Sequence, residues 1–193
     1  MKTLVLSLMI AVVGSAHAVS LEAAKGKTGF LAIGRPSALK IKGEGQGPSG
    51  DLQFAKQAAG KILLNGEASV DLSTLNSGIG MRDTHMKEKY LETEKFKNAV
   101  LKFKDAALDA ELLKKGGEIA LPATLALHGQ EKPVTVAMTL KPGAEKIAAA
   151  SKFKVKLSEY AIAIPSFSGI TVADEVEVET ETEVPAGALK DVL

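Results

Sequence analysis

Glutamate occupies every odd position from 175 to 183, and valine or threonine occupies every even position from 176 to 184. A period of two residues is that of a β-strand, whose successive side chains point to opposite faces of the sheet. The same alternation occurs over residues 152–157, where lysine alternates with phenylalanine, valine and leucine. Glutamate and lysine rows on neighbouring strands form opposite-charge pairs. The two segments therefore predict strands with a charged outer face and an apolar inner face.

Two-residue periods recur along most of the chain. They occupy residues 27–33, 38–42, 60–72, 100–104, 118–128 and 134–140, with a shorter segment at 52–54. Together with the two charged segments they give about eight strands in hairpin order. The pattern predicts an all-β fold, a single antiparallel up-and-down barrel of about eight strands, closed so that no long edge is exposed.

One segment interrupts the strand pattern. Residues 81–97 lack a two-residue period and are rich in good helix formers. Asp83 lies in the first turn, where a negative charge interacts favourably with the helix dipole. Met86 and Tyr90 are four residues apart and share one face. We predict a helix over 82–91 and a further turn over 93–97, the one helix-bearing excursion of the barrel.

Residues 1–18 have the organisation of a bacterial secretory signal. Lys2 is basic, residues 4–13 are apolar but too short to span a membrane, and residues 16–18 form a small-x-small cleavage signal. We predict a cleaved signal peptide over 1–18, with cleavage after Ala18, export to the periplasm, and one domain over 19–193 with a loose tail after Pro185. The chain has no cysteine, which excludes disulfides and an acylated-cysteine anchor, so no stable membrane anchor is expected.

Charge and composition argue against nucleic acids and dinucleotide cofactors. Removal of Lys2 with the signal leaves equal numbers of basic and acidic side chains, whereas nucleic-acid binding needs a basic face. Tryptophan is absent and aromatic residues make up 4% of the chain, so base stacking is not expected. Residues 45–50 match Gly-x-Gly-x-x-Gly, but Pro48 lies inside the motif and no helix follows, so we interpret it as a turn. No nucleic acid and no cofactor is expected.

Histidine is scarce, since only His85 and His128 remain after the predicted cleavage. A catalytic zinc site usually has three protein ligands, and the zinc-binding histidine spacings are absent. Without a Gly-x-Ser-x-Gly elbow or a cysteine, a hydrolase would need Ser166 or Ser168 placed by the fold near a histidine. We interpret His128 as a strand-end residue beside the Gly129 turn that hydrogen-bonds locally. We expect neither an enzyme nor a metal site; a small periplasmic hydrolase using His85 or His128 is an alternative.

Arg82, Asp83 and His85 place a cation, an anion and a titratable imidazole within one turn of the predicted helix. Two interpretations follow. The group is an N-terminal helix cap with an Arg–Asp surface pair, which contributes little free energy. Alternatively, it is a polar rim at the mouth of the barrel that holds the head group of an amphiphile. The residues alone leave both open.

Three separated motifs resemble those of the YceI-like family. Residues 75–91 contain Leu-Asn-Ser-Gly-Ile, Arg-Asp-x-His-Met and Tyr-Leu; residues 125–134 contain Leu-Ala-Leu-His-Gly-x-x-Lys-Pro-Val; residues 164–176 contain Ile-Pro-x-Phe-x-Gly-Ile and then Asp-Glu-Val. The resemblance extends over about 30–184. The chain departs from the family pattern at Ser77, where threonine is usual, and at Ala99, where proline is frequent.

The resemblance implies a lipocalin-like antiparallel barrel with a long apolar pocket, in proteins that bind polyisoprenoids or related amphiphiles, are often periplasmic and are often dimeric. We therefore expect a periplasmic binding or carrier protein for a long-chain amphiphilic lipid, such as a polyisoprenoid, a quinone or a fatty amide. Small inward residues such as Ala68 and Ala123 permit a cavity. The alternative is a filled barrel that serves as an envelope interaction module without a ligand.

The expected site has an apolar wall and a polar mouth. Arg82, Asp83 and His85 are predicted to hold the head group. The predicted wall consists of inward apolar residues of the strands and the segments that adjoin them: Phe30, Leu39, Ile41, Val70, Leu72, Leu101, Phe103, Leu125, Leu127, Val136, Met138, Phe153, Val155, Leu157 and Val176.

Overall fold

Antiparallel strands make up most of the protein in the computed structural model, which describes residues 16–36, 39–167, 169–190 and 192. Of the predicted signal peptide, residues 1–15 lie outside this range, as does Ala38 at the start of a predicted strand. The strands are β1 (Ala16–Leu21), β2 (Lys27–Arg35), β3 (Leu39–Gln46), β4 (Gly50–Lys56), β5 (Lys61–Asp71), β6 (Asn98–Asp109), β7 (Gly117–Leu127), β8 (Gln130–Pro142), β9 (Lys146–Lys156), β10 (Ser166–Phe167), β11 (Ile170–Val172) and β12 (Glu175–Pro185).

Helical structure is confined to short segments. The helix α1 (Gly80–Thr84) continues directly into a π-helix at His85–Tyr90, where a single helix over 82–91 was predicted. The six-residue helix α2 (Ala110–Lys115) is too short to have been recognised from its sequence period. Single 3-10 turns lie at Ala23–Lys25, Ala58–Gly60, Leu72–Thr74, Leu157–Tyr160 and Ala186–Leu189. None of the helices in the described ranges is long and apolar enough to cross a membrane.

All strands belong to one curled antiparallel sheet. Its order is β1-β4-β5-β6-β7-β8-β9-β12-β2-β11-β10, and β3 also pairs with β2. Isolated bridges join Glu44 to Asn76 and Ser49 to Ser69, with main-chain N···O distances of 2.7–2.9 Å. The lipocalin-like antiparallel architecture is confirmed. Two features of the prediction are wrong: the described residues form twelve strands rather than eight, and the sheet curls without closing into a continuous ladder.

Three strands, β1, β10 and β11, were not predicted, and each omission has a physical reason. β10 and β11 have two and three residues, too few to show a period. The first half of β1, residues 16–18, was assigned to the signal peptide, yet Val19 and Leu21 in its second half are buried. Curling of the sheet is helped by a β-bulge in β6, where Lys104 and Asp105 together oppose Asn65 of β5 and the register shifts between Leu64 and Gly66. Gly66 has φ +119°, and a Cβ there would lie 2.2 Å from the Asp51 carbonyl oxygen, so this bend requires glycine.

The charged rows lie where the alternation predicted. β12 pairs with β9 so that Glu177 opposes Lys154 and Glu179 opposes Lys152. Lys152 Nζ lies 2.7 Å from a carboxylate oxygen of Glu177 and 2.9 Å from one of Glu179, and Lys154 Nζ lies 2.7 Å from Glu175. Such exposed pairs contribute little to stability. Their main consequence is orientation, because they keep the charged face in water and turn the valines inward.

The C-terminal segment is packed rather than loose, which corrects the prediction for the tail after Pro185. Ala186 N–H donates to the Glu145 carbonyl at 2.9 Å, and residues 186–189 form a 3-10 turn. Leu189 is 2% exposed and Val192 is fully buried. Burial of these two apolar side chains in the core stabilises the tail, because it removes their surface from water.

Candidate ligand-binding cavity

A cavity of about 510 Å³ lies inside the curled sheet. This volume falls within the range of about 300–1,000 Å³ that is usual for small-molecule sites. Close-packed protein interiors leave few voids larger than a water molecule, so the space is not a packing defect. The inside of the sheet is a chamber.

The wall of the chamber is the inner face of the strands. All fifteen predicted wall residues line it: Phe30, Leu39, Ile41, Val70, Leu72, Leu101, Phe103, Leu125, Leu127, Val136, Met138, Phe153, Val155, Leu157 and Val176. Strand alternation located them because every second side chain of a one-sided sheet faces the interior. Their contact with a ligand stays a prediction.

Small side chains and the scarcity of large ones explain why the chamber is not filled. The chain has six phenylalanines, two tyrosines and no tryptophan. Ala68, Ala99 and Ala149 lie on the wall, where larger residues would occupy the space. Ala68 was predicted to permit the cavity; Ala123, predicted with it, is buried in the core and is not among the wall residues.

Wall residues outside the predicted strands were missed by the sequence analysis. Leu21 on β1, Leu113 on α2 and Leu189 in the C-terminal turn all line the cavity and are buried. Each lies in a segment too short or too irregular to display a period. Their apolar character was the only available signal, and it does not distinguish a chamber wall from an ordinary core position.

The mouth of the chamber lies beside α1. Leu39, Ile79 and Met81 are the exposed large apolar residues of the described chain, at 45%, 54% and 65% exposure, and all three line the cavity. Ser166 N–H donates to the Tyr90 hydroxyl at 3.4 Å, which connects the π-helix to β10. Since β10 and β11 lead into β12, the first residues of β12 lie at the mouth end.

The structure gives Arg82, Asp83 and His85 different positions. Arg82 and His85 line the cavity, whereas Asp83 is 9% exposed and is not among the wall residues. The Asp83 carboxylate accepts hydrogen bonds from the Ser77 N–H at 2.8 Å and from the Ser77 hydroxyl. The simple helix-cap interpretation is therefore wrong, because Asp83 holds the loop before the helix rather than capping its first turn.

Electrostatics agree with a fixed, ionised Asp83. Burial by itself raises the pKa of this carboxyl, but the hydrogen bonds from Ser77, with the nearby charges of Lys87 and Arg82, lower it below its ordinary value. The carboxylate is therefore ionised and accepts its hydrogen bonds from Ser77. Its role at the head group stays a prediction. Its hydrogen bonds to Ser77 stabilise the loop that precedes α1.

Arg82 makes a structural contact and keeps N–H groups that no residue of the described ranges uses. Its Nε donates to the Ser77 hydroxyl oxygen at 2.7 Å and its Nη2 donates to the Ser77 carbonyl at 2.8 Å. A guanidinium has about five N–H groups. The remaining N–H groups are available for water or for an acceptor at the mouth, so Arg82 is positioned both to brace the loop and to bind a polar head group.

His128 connects three distant segments. It follows the last residue of β7 with φ +49°, as expected for a turn position. Its ring Nδ1 lies 3.1 Å from the Tyr160 carbonyl oxygen, its Nε2 lies 2.7 Å from a Glu92 carboxylate oxygen, and its ring packs against Phe96 at a centroid distance of 4.4 Å. The prediction of local hydrogen bonds is therefore wrong. Nothing in the sequence near His128 indicates partners more than 30 residues away.

Within the described ranges, His128 and Ser166 interact with other groups rather than with each other. Both ring nitrogens of His128 are engaged by a carbonyl and a carboxylate, and the Ser166 hydroxyl lies 3.3 Å from that of Thr171. Ser168 lies outside the described residues. Within the described ranges, no three histidine, aspartate or glutamate side chains cluster in a way that could hold a metal ion.

A curled antiparallel sheet around an apolar chamber, with polar side chains at its mouth, is a lipocalin-like architecture. The model of the YceI-like domain matches residues 20–184, and the chain belongs to this family. No curated protein matches the chain.

Solved structures share the fold. A polyisoprenoid binding domain from Saccharophagus degradans, implicated in plant cell wall breakdown, is 17% identical with a TM-score of 0.62, and the match covers 88% of this chain and 98% of that one. Burkholderia cenocepacia BcnA is 17% identical with a TM-score of 0.66, over 84% and 98%. The Campylobacter jejuni YceI protein is 14% identical with a TM-score of 0.50, over 95% and 91%. At these identities the likeness establishes the fold alone.

Proposed function

We propose that the protein is a binding or carrier protein for a long-chain amphiphilic lipid, whose chain occupies the chamber and whose head group contacts Arg82 and His85 at the mouth. The observation that carries this proposal is the apolar cavity of about 510 Å³ with Arg82 and His85 at its opening. A polyisoprenoid, a quinone and a fatty amide all have the required form. The polyisoprenoid binding of the Saccharophagus domain supports the first of them.

The hydrophobic effect is sufficient for this function. Transfer of a methylene from water to an apolar environment is favourable by about 0.8 kcal/mol. A chain that buries about ten methylenes gains about 8 kcal/mol, which corresponds to micromolar binding before the entropic cost of association. The mouth then determines orientation and selectivity more than affinity.

The alternatives are less well supported. An interaction module with a filled barrel needs a packed interior, and the chamber argues against it. A hydrolase would need a base that can reach a nucleophile, and His128 is held by Tyr160 and Glu92. We therefore propose that the protein has no catalytic role.

Native mass spectrometry of protein purified without detergent from its bacterial host tests the proposal. We expect a species heavier than the polypeptide by the mass of one lipid, which organic extraction releases and small-molecule mass spectrometry identifies. The same protein after extraction provides the control. A single species at the polypeptide mass, unchanged after incubation with long-chain fatty acids, would contradict the proposal.

We further propose export to the periplasm with cleavage after Ala18. The geometry of β1 supports this site, because Ala16 and Ala18 are exposed, whereas Val19 and Leu21 are buried and would be retained. Fractionation of host cells with intact-mass measurement should find the protein in the periplasmic extract with Val19 as its first residue. Recovery in the cytoplasmic fraction with residues 1–18 attached would contradict this prediction.

A further inference from the structure

Hydroxyl side chains form a row across the inner wall of the chamber. Thr180 on β12 is paired with Thr28 on β2 and with Ser151 on β9, so three hydroxyl residues lie side by side on three strands. Thr182, two residues further along β12, faces the same side of the sheet. All four residues line the cavity. We refer to these four residues as the hydroxyl row.

The hydroxyl row has hydrogen-bonding capacity that the described protein atoms do not use. Thr28 is 5% exposed, and its Oγ1 and that of Thr182 are buried without a hydrogen-bond partner within the described ranges. Ser151 Oγ and Thr180 Oγ1 lie 2.7 Å apart. One of the two donates to the other, and the accepting hydroxyl keeps its own hydrogen for a further acceptor. Unpaired buried polar groups are unfavourable. A further hydrogen-bonding group beside the row would therefore be stabilised by it.

Packing alone does not require hydroxyls at these positions. Valine has nearly the same shape as threonine, and β12 carries valine at the flanking inward positions 176, 178 and 184. On the mouth side of the row, Val178 is paired with Phe153 and Phe30. The hydroxyl row is therefore a polar band between two apolar parts of the wall.

The row is separated from the charged groups of the mouth. Thr180 is five residues beyond Glu175, the first residue of β12, which corresponds to about 16 Å along a strand. Among the described wall residues, Arg82 and His85 are the only ones of the charged or titratable types Arg, Lys, His, Asp and Glu. Both lie beside the mouth of the chamber. A charged group at the row would be buried without a counter-ion. The chemistry of the row instead suits a neutral oxygen.

We infer that the hydroxyl row is a second polar subsite, which binds a neutral hydroxyl or carbonyl oxygen carried on the chain of the ligand. This inference rests on the proposed function and refines it. The protein then selects amphiphiles with an oxygen inside the chain over those with a plain hydrocarbon chain. The head group at the mouth and the oxygen at the row together fix how far the chain enters.

A matched pair of ligands tests the subsite. Stearic acid and 12-hydroxystearic acid have the same head group and chain length and differ by one mid-chain hydroxyl. We expect the parent protein to bind 12-hydroxystearic acid about five- to ten-fold more tightly, in competition with fluorescent parinaric acid. In a variant with Thr28→Val and Thr180→Val, the two affinities should become equal while stearic acid binding changes less than about two-fold.

The controls separate the possible outcomes. Thr135→Val, at an exposed position of β8, should keep the preference of the parent protein. Equal binding of the two acids by the parent, or a preference that survives in the double variant, would overturn the subsite but not the carrier function. A higher melting temperature of the double variant with an unchanged preference would assign the row to buried water and would likewise overturn the subsite. Binding of neither acid would overturn both proposals.

Discussion

Replacement of Ala149 by phenylalanine is expected to weaken binding of a long-chain lipid by roughly sixty-fold. Ala149 lies on the chamber wall on β9, so the new ring enters the space of the chain. If it excludes about three methylenes, each worth about 0.8 kcal/mol, the loss is about 2.4 kcal/mol. Titration with parinaric acid, followed by its fluorescence, measures the dissociation constant directly.

The neighbouring residue on β9 provides the matched control. Ala150 is exposed and is paired with Glu181 on the outer side of the sheet, so Ala150→Phe adds the same ring without entering the chamber. Its affinity for parinaric acid should equal that of the parent protein. The melting temperature of Ala149→Phe should stay close to that of the parent, since the ring occupies an existing cavity. Unchanged binding by a folded Ala149→Phe protein would show that the lipid does not lie in the chamber.

Replacement of Asp83 by alanine is expected to destabilise the fold by about 3 kcal/mol. The substitution removes two hydrogen bonds between Ser77 and a charged acceptor, each worth about 1.5–3 kcal/mol, and partial relaxation of the loop reduces the total. For a domain of this size, a loss of about 3 kcal/mol lowers the melting temperature by about 6–12 °C. Asp109→Ala is the control, because Asp109 forms an exposed pair with Lys61 that contributes at most about 1 kcal/mol.

The pH dependence of stability provides a second measurement on the same variant. Because the pKa of Asp83 is lowered in the folded state, its stabilisation is complete above the unfolded-state pKa of about 3.9 and is lost as the pH falls through the folded-state pKa. The melting temperatures of Asp83→Ala and the parent protein should therefore differ most at neutral pH and converge in acid. A difference that is constant with pH would show that the Asp83 charge has no role.

Arg82 and Asp83 should differ in their effects on the ligand. Arg82→Ala removes a cavity-lining cation whose remaining N–H groups have no partner among the described residues. Parinaric acid, with its carboxylate head group, should therefore bind more weakly by about 1.5–3 kcal/mol. Asp83→Ala, measured at a temperature where it is folded, should retain most of the affinity. Equal lipid binding by Arg82→Ala and the parent protein would contradict the hypothesis that Arg82 binds the head group.

The contrast between Phe153 and His128 shows which features of the fold could be predicted. Phe153, like the other predicted wall residues, lies on the chamber because a two-residue period and a one-sided sheet fix the direction of each side chain. The contacts of His128 with Tyr160 and Glu92 come from segments remote in the sequence, and no local pattern encodes them. Leu21 and Leu189 were missed for a related reason, since each reaches the chamber wall from a segment too short to show a period.

The sequence by itself determined the β architecture, the direction in which each strand faces and the apolar character of the interior, because these follow from local periodicity and from the unfavourable exposure of apolar side chains to water. Only the tertiary structure decided that the sheet curls without closing, that it leaves a chamber of about 510 Å³, and that Arg82 opens onto this chamber while Asp83 turns to Ser77. It also brought Thr28, Ser151 and Thr180 into one row. These features depend on the register between strands distant in sequence, and register is set by the packing of the whole sheet.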